Sequence, residues 1–497
     1  MFEMAELGHQ LNKADYRARV PELRTLLLEA QFALRKADFP VIVLISGVDG
    51  AGKGATINRL NEWLDPRYLR ADAFDSPTEE ERMRPEFWRY WRALPAKGRM
   101  GLYVGSWYSG PLGKRAYGEI SAAELDEALR RINGFEKALV DDGALIIKIW
   151  LHLSKKQQAR RLRKLAQNPQ TRWRVSKRDR RHLGLYDTFR PIAEHVLRIT
   201  SSGEAPWNIV EGADARYREL SVGQIILDRL SERLQDHHPS SENLAPGLVP
   251  PPQSGRPVTL LNSLDLSLSL KRADYRQQLE TQQGRLNHLT RKALNKGISS
   301  VMVMEGWDAA GKGGVIRRMV PGMDARHYHI IPIAAPNEEE RAHHYLWRFW
   351  HHISRAGHVT IYDRSWYGRV LVERVEGFAS RDEWMRAYSE INDFEAQLVE
   401  HGIVLTKIWL HIDRDEQLRR FQAREETPFK RHKITDEDYR NREKWDLYEQ
   451  AVNDMVERTS TEYAPWVMVE ANDKKHARIK TLRVFCDRLE AALRRHR

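Results

Sequence analysis

Val301-Met302-Val303-Met304-Glu305-Gly306-Trp307-Asp308-Ala309-Ala310-Gly311-Lys312-Gly313-Gly314 runs from an apolar stretch of strand length into a glycine-rich turn that closes on a lysine. Ile316, Arg317, Arg318 and Met319 follow with the chemistry of a helix surface. Strand, turn and helix in that order predict a phosphate-binding loop. Gly306, Gly311 and Gly313 let successive backbone N–H groups converge on phosphate oxygens, the helix N-terminus adds partial positive charge, and Lys312 reaches the phosphoryl group that moves. The Ser or Thr that usually follows the lysine and helps to hold magnesium is here Gly313. Asp308, inside the loop, is the replacement oxygen ligand.

The same pattern stands earlier as Val41-Ile42-Val43-Leu44-Ile45-Ser46-Gly47-Val48-Asp49-Gly50-Ala51-Gly52-Lys53-Gly54, with Gly47 and Gly306 separated by 259 residues. The offset holds along the chain. Trp88 and Trp91 map onto Trp347 and Trp350, residues 148–152 onto 407–411, and Ala205-Pro206-Trp207 onto Ala464-Pro465-Trp466. A repeat of that length is a whole domain, far beyond the roughly 20 to 50 residues of solenoid units. The 497 residues therefore divide into two lobes, 1–235 and 262–497, joined by a linker at 236–261 that carries Pro239, Pro246, Pro250-Pro251-Pro252 and Pro257. Each lobe is long enough to bury its own core.

Composition narrows the class of protein. No run of 18 apolar residues exists and residues 1–14 lack the apolar core of a signal peptide, which predicts a protein that stays off the membrane and is not exported. One cysteine, Cys486, excludes an internal disulfide framework and a cysteine-based zinc site, as suits a reducing cytoplasm. The net charge of +12 is concentrated: residues 155–190 hold thirteen Lys and Arg against Asp179 and Asp187, whereas residues 414–449 hold ten basic and ten acidic side chains. Such a concentration points to a polyanionic partner, with a solvated helix face as the alternative.

Along each lobe apolar strands alternate with amphipathic helices, the pattern of a mainly parallel sheet covered on both faces. In the first lobe strands are expected at 41–46, 100–104, 144–153 and 207–210. In the second they are expected at 300–305, 329–333, 358–362, 403–412 and 467–470, with helices at 274–296, 338–353, 381–400 and 474–494. Residues 414–460 are rich in alternating charge without a strand and suggest a lid over the loop.

A second motif is Ile361-Tyr362-Asp363-Arg364-Ser365-Trp366-Tyr367-Gly368-Arg369. An aspartate at the carboxyl end of a buried strand sits where open α/β sheets bind ligands. Magnesium takes a few carboxylate oxygens together with phosphate and water, so Asp308 and Asp363 form a candidate pair. Arg364 and Arg369 are then placed to neutralise charge in a phosphoryl transition state. The lid offers Arg420, Arg424, Lys430, Arg431 and Lys433, of which Arg420 and Arg424 share a helix face. The histidine pairs at 343–344 and 351–352 lack the spacing of a zinc helix.

These stretches resemble the second family of polyphosphate kinases. Residues 306–313, with glycine in place of Ser/Thr, residues 362–369, and Arg420, Arg424, Lys430 and Lys433 carry the resemblance. It covers both halves and is most specific in the second. Two-domain members look like the subgroup that moves phosphate from inorganic polyphosphate to AMP, giving ADP. The resemblance implies two tandem phosphate-loop kinase-like α/β domains, each with a five-stranded parallel sheet flanked by helices under a helical lid. It also implies dependence on magnesium, with manganese as the alternative, and a cytoplasmic bacterial setting. Glu373 near the metal and Arg374 near the phosphates are expected on the resemblance alone. No membrane and no specific nucleic acid is expected as a partner, and assembly into a homo-oligomer stays open.

The first lobe departs from the motif. The 259-residue offset sets Val104-Gly105 against Asp363-Arg364, Gly110 against Arg369 and Lys114 against Glu373, and in the lid Leu165 against Arg424 and Thr171 against Lys430. Asp49, Lys53 and Arg161 remain. A loop without its partner carboxylate can bind phosphate but should hold magnesium poorly, so this lobe reads as structural or polyphosphate-binding. Two other functions fit parts of the sequence. One is an ATP-dependent nucleotide or small-molecule kinase, disfavoured by Gly313; the other is a polyanion-binding scaffold, which leaves the intact second lobe unexplained.

Overall fold

The computed structural model describes residues 1–235, 260–427 and 436–495. Most of the Pro-rich linker, and Lys430, Arg431 and Lys433 of the expected lid, lie outside the described residues. The chain forms two compact units: Met1–Pro77 with Arg89–Ala245 and Glu338–His344, and Thr78–Trp88 with Pro246–Asn337 and Tyr345–Arg497. The division departs from boundaries at 1–235 and 262–497 in the two short segments 78–88 and 338–344.

The first unit is built on β1 (Val41–Gly47), β2 (Leu69–Ala73), β3 (Met100–Val104), β4 (Leu145–His152) and β5 (Trp207–Glu211), in the order β2-β3-β1-β4-β5. The second repeats it with β6 (Ser300–Gly306), β7 (Tyr328–Pro332), β8 (Val359–Asp363), β9 (Val404–His411) and β10 (Trp466–Glu470), in the order β7-β8-β6-β9-β10. Every pairing is parallel. The expectation of two five-stranded parallel α/β domains is met. β1 and β6 take the centre because their aliphatic runs can be buried on both faces, and residues 41–45 and 301–304 are at most 2% exposed.

Sequence reading missed β2. Its residues, Leu-Arg-Ala-Asp-Ala, are half-exposed at the sheet edge, so neither an apolar run nor a clean alternation marks it. The helix expected at 338–353 is two short ones, Glu338–Arg341 and Trp347–His351, and the break falls where the chain passes from one compact unit to the other. Among the described residues the lid forms helices at Arg414–Glu425, Asp436–Glu443 and Trp445–Thr459; the basic region of the first lobe forms them at Lys155–Gln167, Lys177–Gly184 and Tyr186–Thr200, with a short turn at Arg172–Arg174.

Beneath each site lies the same buried polar cluster. In the second lobe the Lys407 ammonium donates to Glu395 Oε2 at 2.7 Å, to the Tyr367 hydroxyl at 2.9 Å and to the Thr459 carbonyl at 2.6 Å. Trp366 Nε1 and Tyr367 donate to Glu395 Oε1. In the first lobe Lys148, Glu136, Tyr108, Trp107 and Thr200 repeat it position by position. A buried charge is tolerated only when paired and fully hydrogen-bonded, and this cluster satisfies that for the strand that carries it.

Candidate active site

The parallel register brings the end of β6 beside the end of β8, with Met304 opposite Asp363. β6 then breaks at Gly306, where φ is 149° and a Cβ would lie 2.5 Å from the Leu410 carbonyl oxygen. The loop returns through Gly311, left-handed at φ 112°, into the helix Lys312–Met319. The Lys312 ammonium curls back and donates to the Gly306 carbonyl at 2.6 Å. Asp308 rises from the loop. Its Oδ1 accepts from Arg364 at 3.0 Å and its Oδ2 from Asn441 of the lid at 3.0 Å. Burial works to raise its pKa, but Lys312, Arg364 and the Asn441 hydrogen bond outweigh that and hold the carboxyl below the usual range.

Arg364 has φ 65°, in the left-handed region that costs a non-glycine residue about 1 to 2 kcal/mol. That backbone turns the side chain from the end of β8 across to Asp308. Asp363 faces the phosphate-loop helix: its Oδ2 is 3.9 Å from where a Cβ on Gly313 would stand. A carboxylate oxygen of the neighbouring strand thus stands near the place a Ser or Thr side chain at 313 would occupy. Asp308 and Asp363 are hard oxygen donors suited to a magnesium-like cation that also takes phosphate and water. No group of three or more His, Cys, Asp and Glu side chains is spaced to hold a metal by itself among the described residues.

The other expected site residues are differently occupied. Glu373 is ion-paired with Arg369 at 3.0 Å, and Arg369 also donates to Glu383 at 3.3 Å and lies over the Tyr345 ring. Arg374 donates to the Tyr388 hydroxyl at 2.8 Å and pairs with Asp454 at 2.8 Å. Arg420 is 3% exposed, and its guanidinium donates to the carbonyls of Ala309, Ala310, Ala471 and Asn472 and to Glu416. Its donors brace the backbone of the phosphate loop, so it does not form a phosphate-facing row with Arg424. Arg424 is half-buried. Burial, followed by the charges of Arg420 and other neighbours that include Arg424, pushes the Lys474 ammonium down to about 8.

Three groups escaped the sequence reading. Glu305, the last side chain of β6 before the glycine, is 5% exposed, accepts from Ser365 Oγ at 2.8 Å, and has its pKa raised by burial. A carboxylate ending an otherwise apolar strand was the available signal. Asn441 gave none. Trp307 in the loop stacks on Trp445 of the lid with ring centroids 3.7 Å apart and planes 7° from parallel, and donates from Nε1 to His411 Nδ1 at 3.1 Å. With Gln417 donating to the Asp308 carbonyl at 3.2 Å, these contacts hold the lid on the loop over a cavity of about 70 Å³.

The first lobe keeps the loop but not the strand-end aspartate and arginine. Gly105 takes the left-handed turn at φ 70° that Arg364 takes in the second lobe, and Val104 replaces Asp363. Asp49 is bound by Lys53 at 3.3 Å and by His182, which stands where the second lobe has Asn441.

Comparison with known proteins agrees with this geometry. The sequence profile of polyphosphate kinase 2 (PPK2) matches residues 10–238 and again 269–497. A polyphosphate:AMP phosphotransferase of Pseudomonas aeruginosa is 53% identical over 496 residues, covering 100% of both chains. One of Acinetobacter johnsonii is 38% identical over 474 residues, covering 94% of this chain and 95% of that one. A crystal structure of a polyphosphate kinase 2 from Pseudomonas aeruginosa superposes with a TM-score of 0.89 at 51% identity, over 99% of each chain. With two matched domains, each carrying the loop on its central strand, the chain belongs to the polyphosphate kinase 2 family.

Proposed function

We propose that the chain transfers the terminal phosphoryl group of inorganic polyphosphate to AMP, giving ADP, and that the second lobe alone carries out the transfer. The end-to-end likeness to two-lobed relatives named for that reaction carries the reading. The location of the charged constellation supports its assignment to one lobe.

The α-phosphate of AMP, like other phosphomonoesters, has a second pKa of about 6, so it is largely dianionic at neutral pH and needs no strong general base. One of its oxygens forms a bond to the terminal phosphorus of the chain. The bond from that phosphorus to the bridging oxygen breaks, and the polymer leaves one phosphate shorter with the electron pair. The main obstacle is the repulsion between two polyanions, so alignment and charge cancellation are the work to be done. Lys312, freed from the Gly306 carbonyl, and the loop N–H groups receive the donor phosphates, while Arg364 reaches the same space from the opposite strand. A divalent cation, magnesium or manganese, would be held by Asp308 and Asp363 and would neutralise phosphate charge. Asp308, kept ionised by its cationic neighbours, is ready for that role. A cytoplasmic setting belongs to this reading, since a chain with one cysteine needs no internal disulfide and suits a reducing compartment.

The test is ADP formation from AMP and magnesium with either polyphosphate or ATP as donor. Turnover with polyphosphate and none with ATP is the expected result. The reverse would establish an ATP-dependent kinase, and tight polyphosphate binding without turnover would establish a scaffold.

A further inference from the structure

The degenerate loop of the first lobe opens on a cavity of about 430 Å³, against about 70 Å³ at the intact loop. The cause is in the sequence. The stacked indoles Trp307 and Trp445 fill that space in the second lobe; their counterparts are Val48 and Tyr186, and Tyr186 turns its hydroxyl to the Leu153 carbonyl at 2.8 Å. What remains is a chamber in the size range of small-molecule pockets. One end carries the phosphate loop and Lys53; the walls include Phe74, Leu112, Trp150 and Phe189.

Charge sets its chemistry. The lining carries a single Lys or Arg, Lys53, against Asp49, Asp75 and Asp179. With Val104 and Gly105 in place of the aspartate and arginine, a long polyanion would meet acidic and apolar walls. One phosphate on the loop, with an uncharged planar ring beyond it, meets the loop N–H groups at one end and aromatic faces at the other.

We propose that the first lobe is a second ligand site, specific for a nucleoside monophosphate, that binds without turnover. The loop takes the single phosphate and the aromatic chamber takes the base. This site is independent of what the second lobe phosphorylates.

The test uses the full-length protein and 8-azido-AMP, with photolabelled peptides mapped by mass spectrometry. Label is expected on first-lobe peptides within residues 104–117 or 186–189, lost in excess AMP and kept in an equal excess of inorganic phosphate. Gly113 lines the chamber, and a Cβ there meets nothing within 4 Å, so Gly113→Phe fills the space and should abolish the label at an unaltered melting temperature. Lys53→Ala should weaken AMP competition at that site about tenfold or more, the loss of a charge-assisted hydrogen bond. Label confined to second-lobe peptides, label displaced equally by phosphate, or label that persists in Gly113→Phe would overturn the proposal. Should Gly113→Phe fail to fold, undiminished labelling and competition in Lys53→Ala would overturn it. A failure of AMP phosphorylation would leave the first-lobe label in place, so the two readings fail separately.

Discussion

Arg364 donates to Asp308 across 3.0 Å from a backbone held at φ 65°. A non-glycine residue is kept in the left-handed region where its side chain closes the site, and glycine stands there in the lobe where Val104 replaces Asp363. Arg364→Gly should therefore separate stability from activity. Relief of about 1 kcal/mol of strain offsets the loss of a partly exposed ion pair, leaving the melting temperature near that of the parent, while ADP formation falls by about 10² or more. A large drop in stability with turnover retained would show that the strain serves the fold instead.

Asp363→Asn and Lys312→Ala should each lower turnover by at least about 10², because each removes a charge that acts mainly in the transition state. Polyphosphate binding should survive Asp363→Asn. Lys312→Ala should leave no turnover from the first lobe. Near-normal rates for Asp363→Asn at saturating magnesium would displace the metal from β8.

The fold was legible because its signals are local. Aliphatic runs at 41–45 and 301–304 suit strands buried on both faces, and the 259-residue offset repeats most of the assignments in both lobes. Asp308, Asp363, Arg364 and Lys312 were legible because loop and strand end are each contiguous in sequence. What escaped depends on side-chain direction. Arg420 looked like a surface cation on a charged helix, yet its guanidinium is spent on four backbone carbonyls. Asn441 and Trp445 approach the loop from a distant lid helix, a meeting no spacing encodes.

The Trp307–Trp445 stack should be measurable as a coupling energy. In a double-mutant cycle of Trp307→Ala and Trp445→Ala the interaction should come to about 0.5 to 1.5 kcal/mol in stability. Strictly additive effects would mean that the lid is held by Arg420, Gln417 and Asn441 and not by the stack.

His411 accepts from Trp307, and burial pushes its imidazole from 6.5 down to about 4. Between those pH values the unfolded chain binds a proton at this position that the folded chain does not. Stability of the second lobe should thus fall as pH drops from 6.5 to 4, by roughly 3 kcal/mol from this group when complete, with no further change above 6.5. Denaturation midpoints across that range should fall less steeply for His411→Gln, which keeps an acceptor but cannot titrate. Parallel curves for the two proteins would assign the acid sensitivity elsewhere.

The basic helices of the first lobe expose Lys155, Lys156, Arg160, Arg163, Lys164, Lys177 and Arg180, whereas Arg161 turns inward to the Gly212 carbonyl at 2.9 Å. Neutralising Arg160, Arg163, Lys164, Lys177 and Arg180 together should weaken binding of long polyphosphate and flatten its salt dependence, with short chains little affected. Identical salt dependence in variant and parent would reduce the stretch to solvated surface.

The buried lysine cluster beneath each sheet end has a consequence for remodelling. Lys148 and Lys407 hold the same three partners whether the strand end beside the loop carries Asp363-Arg364 or Val104-Gly105. Each lobe thus serves as an internal control for the other: contacts present in both support the scaffold, and those present in one are disposable to it. The roomy mouth of the first lobe could therefore be recut for another acceptor while its foundations and the second lobe are left untouched.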